Sequence, residues 1–241
     1  SVYQENKNEK TYSYDSLGKI LSSHQSNLNT NFSIVNGKNI DDIWTYDSNG
    51  ILSSHYQVQS TINNSSTYVT QKYYDDVYYK SNGNKNDIQK TLFFDTQENI
   101  TRKKIIETEV DSSDHEIINI SRDQNLDING VSEEKYNEIN STYDIAGNIL
   151  THYIATLNYG YNNTLNSGDS TDENWNYDSK GNKIEHNVKY YTVVNGSLVP
   201  NSFREIEEYW TYQSNNLIKH NKIQDGVNDT WNFNSDGNMT T

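Results

Sequence analysis

Apolar and polar residues alternate in short runs along this chain, and no run keeps the helical apolar period of about 3.6 residues. In Trp175-Asn176-Tyr177 two rings stand two residues apart, so in a strand they share a face while Asn176 points the other way. The same step occurs at Tyr12/Tyr14, Trp44/Tyr46, Trp210/Tyr212 and Trp231/Phe233, and all four tryptophans of the chain occupy its first slot. A reversal follows, as in Asp178-Ser179-Lys180-Gly181. The Asp can accept a hydrogen bond from the backbone two residues on, which starts the turn. The Gly three residues after it sits where a type I turn needs a left-handed residue to form a G1 bulge. Aliphatic residues such as Ile51-Leu52 or Ile149-Leu150 then open a return strand. The pattern predicts β-hairpins.

The phrase recurs, at Tyr14-Asp15…Gly18, Tyr46-Asp47…Gly50, Tyr143-Asp144…Gly147, Tyr177-Asp178…Gly181 and Phe233-Asn234…Gly237. Worn copies stand at Phe94-Asp95…Asn99 and Tyr212…Asn216. Repetition of this kind specifies an architecture built by stacking. Between hairpins the reading places a further turn at Asn-Gly or Asp-Gly, for example Asn36-Gly37 after the strand Asn31-Phe32-Ser33-Ile34-Val35. Ring-to-ring spacings are 32 (14 to 46), 34 (143 to 177), 35 (177 to 212) and 21 (212 to 233). The middle reads as stretched, with 48 residues from Tyr46 to Phe94 and 49 on to Tyr143. Extra reversals are expected there at Asn63-Asn64-Ser65-Ser66 and Asp111-Ser112-Ser113-Asp114, between long strands such as Thr67 to Tyr79 and Lys103 to Val110. No linker divides the chain. The expectation is one domain, residues 1–241, an all-β tandem array of antiparallel β-hairpins in a twisted, spiralling or solenoid-like sheet of about seven units.

Composition sharpens this. Leu, Ile, Val and Phe together make 50 of 241 residues, close to the range of disordered chains. Twenty Tyr and four Trp tip the balance toward order, because aromatic rings bury large areas and favour strands. Of twelve Gly, seven follow Asn or Asp, the favoured tight-turn pairs. The net charge of −14 argues against nucleic acid or an anionic membrane as a partner and leaves room for cations. No stretch reaches the roughly 18 apolar residues of a membrane span, and the absence of Cys removes any disulfide framework. The chain opens on Ser1 without a signal segment and stops at Asn238-Met239-Thr240-Thr241, just past a turn Gly. It therefore reads as a piece of a longer protein, or as an array whose last return strand comes from another molecule.

The phrase Tyr-Asp-x-x-Gly-Asn-x-Leu resembles the YD repeat of bacterial Rhs and wall-associated proteins. It is similar also to a secreted bacterial variant in which an Asp-Gly-x-x-Asp turn precedes Trp-x-Tyr. Asp225-Gly226-Val227-Asn228-Asp229-Thr230-Trp231-Asn232-Phe233 follows that variant closely, and Asn36-Gly37 to Trp44-Thr45-Tyr46 follows it loosely. The resemblance covers most of the chain in short, degenerate motifs. It implies an all-β repeat sheet on a large secreted or cell-surface bacterial protein. About seven units are too few for the shell that Rhs proteins wrap around a toxin, and no toxin-like segment is present.

Three constellations carry candidate chemistry. Five of six histidines (His24, His55, His152, His186, His220) fall four to six residues after the turn Gly or its substitute. A residue copied once per unit belongs to the unit, whereas catalysis needs one site of dissimilar groups. These imidazoles are expected on the strand surface beside the Tyr column. The run Asp123 to Glu134 places oxygen donors Asp123, Asn125, Asp127, Asn129 and Glu134 in an EF-hand-like order for Ca²⁺. Ile128 replaces the Gly of the sharp turn, and an ion-free hairpin turn explains the same residues. Asp225, Asn228 and Asp229 offer too few ligands. Finally Trp44, Tyr46, Trp175, Tyr177, Trp210, Tyr212 and Trp231 either form a ring surface that holds sugars or are the core of a chain poor in aliphatics.

No P-loop, nucleophile elbow or Rossmann fingerprint occurs. The reading is a non-enzymatic structural module of a secreted or surface protein, self-associating through open sheet ends into a filament or sheath. An adhesive, glycan-binding module, assisted by Ca²⁺, is the second reading. An enzyme is the third, and residues 100–135, the least repetitive stretch, are where its site would lie.

Overall fold

The computed structural model describes residues 4–31, 34–64, 66–80, 83–201 and 204–240. Phe32 and Ser33 of the expected strand, Ser65 of the expected reversal and Asn82 of one Asn-Gly pair lie outside these. The chain is all-β. Its strands are β1 (Gln4–Tyr14), β2 (Ile20–Asn31), β3 (Ile34–Tyr46), β4 (Leu52–Asn63), β5 (Ser66–Tyr79), β6 (Lys85–Phe94), β7 (Ile100–Val110) and β8 (Glu116–Asp127). Then come β9 (Gly130–Tyr143), β10 (Ile149–Gly160), β11 (Thr164–Tyr177), β12 (Lys183–Val194), β13 (Ser197–Pro200), β14 (Ile206–Gln213), β15 (Asn216–Gln224) and β16 (Val227–Asn232). A single helical turn, Tyr161–Asn163, joins β10 to β11.

Contacts divide the chain into two units, residues 1–113 with 121–134, and residues 114–120 with 135–241. In the first, β1 to β7 pair antiparallel in sequence order, each of β1 to β6 with the strand that follows it. In the second, β10 pairs antiparallel with β11 and β11 with β12. There β12 divides its edge between two partners. Glu185–Val188 pair with β14, and Tyr191–Val194 pair with β13. β14, β15 and β16 then continue the ladder. Strands within a unit touch their ladder neighbours and little else. A side chain is therefore covered chiefly by its cross-strand neighbours, the pairs that stabilise a sheet. Among the described residues the buried apolar side chains are only Leu92, Ala155, Leu157, Trp175 and Val188. Small polar groups flanked by long ones are buried instead, such as Ser23, Ser26, Ser60, Ser141 and Ser170.

The turns have the chemistry that the sequence predicts. At Asp178 the backbone amide donates to the Asn182 carbonyl (2.9 Å), and Gly181 N–H donates back to the Asp178 carbonyl (3.0 Å). Gly181 is left-handed, with φ +83°. The Asp178 carboxylate accepts from the amides of Lys180 (2.8 Å) and Asn182 (2.9 Å) through one oxygen, and from the Asn182 side-chain amide (2.8 Å) through the other. Asp15, Asp47, Asp95, Asp144 and Asn234 accept the same two backbone bonds. Ladder registers shift just before the turn, between Thr45 and Tyr46 or Asn176 and Tyr177, as a bulge requires.

Three expectations are corrected. Asn36-Gly37 is not a turn. β2 reverses into β3 at the Asn31–Ile34 pair, and Gly37 lies inside β3 between Leu28 and Ile62. A Cβ there would stand 2.0 Å from the Asn27 carbonyl oxygen, so the Gly serves close strand approach rather than reversal. The middle is not stretched either. Lys80 N–H donates to Asn84 (2.8 Å) and Gly83 N–H to Lys80 (3.0 Å), which is the same turn with Lys in the place of Asp. With Asp111 starting another, turns open at residues 15, 47, 80, 111, 144 and 178, at near-regular steps of 32, 33, 31, 33 and 34. The Phe94-Asp95 turn joins β6 to β7 and so alternates with these instead of continuing them. Third, Tyr212 is followed by a two-residue turn, Ser214-Asn215, both with positive φ.

Candidate functional site: tryptophan, histidine and carboxylate rows

Strand register brings together residues that the repeat keeps eleven apart. Trp44 lies directly opposite His55, and Trp175 directly opposite His186. The shorter turn after Tyr212 brings Trp210 opposite His220, ten residues on. Each pair is a parallel ring stack, with centroids 4.9, 4.8 and 4.9 Å apart and planes within 6°. His220 also stacks on Trp231 at 4.9 Å, so one imidazole lies between two indoles. His24 falls one residue out of this step. It stands opposite Asp41 across β2 and β3 and bonds its carboxylate (2.6 Å). In the β9–β10 hairpin Ser141 takes the Trp position, and its hydroxyl bonds His152 Nδ1 (2.9 Å). Only 3% of Ser141 is exposed, which closes it to any substrate.

A carboxylate two residues before each Trp completes the rows. Asp42 meets His55 Nε2 at 2.9 Å. His186 is held from both sides, by Glu173 at 3.0 Å and Glu208 at 3.1 Å, while Glu208 also lies 3.3 Å from His220 Nε2. That last contact is within ion-pair reach but off line for a hydrogen bond. Burial pushes the Asp42 carboxyl up, yet bonds from Gln57, His55 and Ser23 outweigh it and hold the group below the ordinary range. Further along this face the opposite holds for Asp75. Burial and the neighbouring Asp87 carboxylate raise it, and one oxygen of each is buried without a hydrogen-bond partner.

The turn tyrosines tie one hairpin to the preceding one. Tyr46 donates its hydroxyl to the Ile20 carbonyl (3.0 Å), and Tyr143 donates to Glu116 (3.2 Å). Lys19 spans the gap in the other direction, donating to the Gly50 carbonyl (2.7 Å) with its ammonium 5.1 Å from the Tyr46 ring centre. His115 takes that place against Tyr143, stacked at 4.7 Å. Burial first, then Asp144 and Asp178 respectively, raise the Tyr177 and Tyr212 hydroxyls, because each lies beside the preceding turn's carboxylate.

The sequence-derived ring residues thus separate. Trp175 is buried under its neighbours, and Trp44, Trp210 and Trp231 are half-buried, each with a face covered by imidazole. Tyr46, Tyr177 and Tyr212 are half-buried at the turns. The oxygen donors proposed for Ca²⁺ do not converge. Asp123, Asn125 and Asp127 lie along the extended β8, with Asp123 and Asp127 about 13 Å apart by strand rise. Asp123 is bonded by Arg102 Nε (2.7 Å), Asn125 bonds Glu133 (3.2 Å), Asp127 accepts from the Asn129 amide (2.7 Å) and Glu134 accepts from Gln124 (2.6 Å). Among the described residues no three His, Cys, Asp or Glu side chains gather as a metal site. The histidine and carboxylate partners of the tryptophans were the residues that sequence reasoning left unpaired. Their signal is visible as acid-x-Trp in Asp42/Trp44, Glu173/Trp175 and Glu208/Trp210, with His eleven or ten residues after the Trp.

No protein-family model matches the chain, and no curated protein does. A search of solved structures finds similarity to the crystal structure of TcdB2-TccC3-TEV, at 8% identity and a TM-score of 0.12, over 96% of this chain. The match spans 21% of that chain, so this sequence corresponds to about a fifth of its length.

Proposed function

We propose that the chain is a non-enzymatic structural module of a secreted or surface-exposed bacterial protein, and that it associates with further copies of itself. The observation that supports this most directly is the use of its polar side chains. Groups that would serve catalysis elsewhere recur in several hairpins and are engaged by the adjoining strand, as His186 is by Glu173 and Glu208. A chain whose described strands contact chiefly their ladder neighbours extends by adding hairpins, and its stability grows by nearest-neighbour increments. The location outside the cell rests on the YD-like phrase and on an acidic, Asn-rich composition. We propose no Ca²⁺ in the working module, since candidate donors Asp123, Asn125 and Glu134 are engaged by Arg102, Glu133 and Gln124.

Sedimentation velocity and negative-stain electron microscopy of the purified chain, across concentration and with Ca²⁺ or chelator, test this reading. Concentration-dependent assemblies that ignore Ca²⁺ are expected. A strictly monomeric particle at high concentration would overturn self-association. Retention on immobilised glycans, abolished by replacing a half-buried ring such as Trp210 in a folded variant, would establish the adhesive reading instead.

A further inference from the structure

We propose that one copy docks on the next face to face, through a lysine patch on β5–β7 of the first and a carboxylate hollow on β12 and β14 of the second. The inference rests on the self-associating reading above and names its surfaces.

In one row of the first unit Lys72, Leu92 and Lys103 stand directly opposite one another across β5, β6 and β7. Lys90 lies two residues along β6 on the same face, between Tyr74 and Ile105. The three lysine positions therefore flank the buried Leu92, their backbones within about two strand spacings, roughly 10 Å. In a chain with 33 acidic and 19 basic side chains, ion-pair partners are plentiful. None of these three lysines has one among the described residues, although Lys7, Lys80 and Arg102 do. Two of them lie over rings instead, Lys72 5.4 Å from the Phe94 centre and Lys90 5.6 Å from that of Tyr74. Asp76 and Glu107, flanking Ile88 one row further on, bound the patch.

The complementary surface lies where the repeat breaks. Because β12 changes partner from β14 to β13, Lys189 and Tyr190 have no β14 residue opposite them, and the ladder opens into a hollow of about 290 Å³. Glu205, Glu207, Asn174, Asn187 and Tyr209 line it, with Lys189 the one cation on its wall. Glu185 stands beside it, opposite Tyr209. Glu205 and Glu207 have no ion-pair partner among the described residues. Glu185 is held ionised by the amides of Asn187 (2.9 Å) and Asn176 (2.6 Å). Long lysine stems suit such a hollow, since their methylenes lie along Tyr209 while the ammonium reaches the carboxylates.

Area points the same way. The chain exposes 14952 Å². A standard interface buries about 1,600 Å² in total, which this surface can supply several times over. A patch that meets a different patch makes a head-to-tail contact, and such contacts grow into filaments when the rotation does not close a ring.

The test is a charge-reversal exchange in the whole chain. One variant carries Lys90→Glu and Lys103→Glu, the other Glu205→Lys and Glu207→Lys, and far-UV circular dichroism checks that both fold. Sedimentation velocity should show association weakened by roughly tenfold or more in each variant alone, because like charges now oppose. An equimolar mixture should recover it, since one variant then presents two acidic surfaces and the other two basic ones. Wild-type assemblies should loosen as salt rises from about 0.05 to 0.5 M, where screening shortens the reach of exposed charges. Undiminished assembly in both variants, or a mixture that recovers nothing, overturns this docking mode while leaving self-association intact. A wild-type chain that never associates overturns both.

Discussion

Replacing Trp175 by Ala distinguishes a ring that holds the sheet together from one that waits for a ligand. Trp175 is 9% exposed, stacked at 4.8 Å on His186, tilted against His152 at 6.5 Å and approached by Lys183 at 5.8 Å. Removing a buried Trp from a core costs about 3–5 kcal/mol. Here cover comes from ladder neighbours rather than from a second layer, so the lower end, about 3 kcal/mol, is expected. His186 would keep Glu173 and Glu208 but lose its stacking face. Trp231 is only half-buried and stacks on His220 alone, so Trp231→Ala should cost about 1 kcal/mol, the scale of one aromatic pair. Urea unfolding followed by circular dichroism gives the difference between the two. Hydrogen exchange should locate the Trp175 loss in β10 to β12, because an array responds first at the altered unit. A folded Trp175→Ala chain that loses less than about 1 kcal/mol would refute the packing argument and return the ring to a ligand role.

Other outcomes follow from the same contacts. Gly37→Ala should lower the thermal midpoint and expose β2 and β3 to hydrogen exchange, because its Cβ would meet the Asn27 carbonyl at 2.0 Å; an unchanged melt would show that the strands can part freely. Asp75→Asn should stabilise the chain at pH 7. The Asp75 carboxyl is raised by burial and by Asp87, so the folded state keeps a proton that the unfolded chain releases above about pH 4. Stability is therefore lost as pH rises from there, and the Asn variant should flatten that slope in melts between about pH 4 and 7. A variant less stable at pH 7 would contradict the paired-carboxyl reading. Asp95, Asp144 and Asp178 are lowered, chiefly by bonds from Asn99, Asn148 and Asn182. Their contribution is complete above about pH 4 and fades as pH falls toward their folded values. Replacing all three Asn by Ala should move acid unfolding to higher pH in a circular dichroism titration.

The turns were legible because their chemistry is local: an Asp side chain reaches amides two and four residues on, and Gly181 accepts a φ that other residues resist. Gly37 misled for the same reason. Asn-Gly reads as a turn by local rules, but its role is set by the Asn27 carbonyl on the next strand, which sequence adjacency does not reveal. The turn at Lys80 escaped notice because Lys stands where the carboxylate was expected, leaving the Asn84 amide to bond Glu109 (2.8 Å) far along the chain. Trp-His stacking needed the register, and the register depends on bulges at residues such as Tyr177. Once those bulges are known, eleven residues from Trp to His is the spacing of an opposite pair.

Strands covered chiefly by their ladder neighbours cannot rely on burial, and this chain has five buried apolar side chains among its described residues. Its cohesion must come from cross-strand pairs, each worth about 0.2–1 kcal/mol, multiplied by repetition. That mode of construction has a consequence for function. The repeated residues serve the adjoining strand, so imidazoles and carboxylates that look available in the sequence, such as His55 with Asp42 and His186 with Glu173 and Glu208, are occupied in the fold. Freedom to meet something else is left to positions where the repeat is interrupted or its partners are missing. Among the described residues Lys72, Lys90 and Lys103 lack a carboxylate partner of the kind that Arg102 has in Asp123, and Glu205 and Glu207 stand where β12 exchanges one partner for another. In a repeating sheet such departures are better guides to recognition than the repeated residues themselves, since the repeat already accounts for the rest.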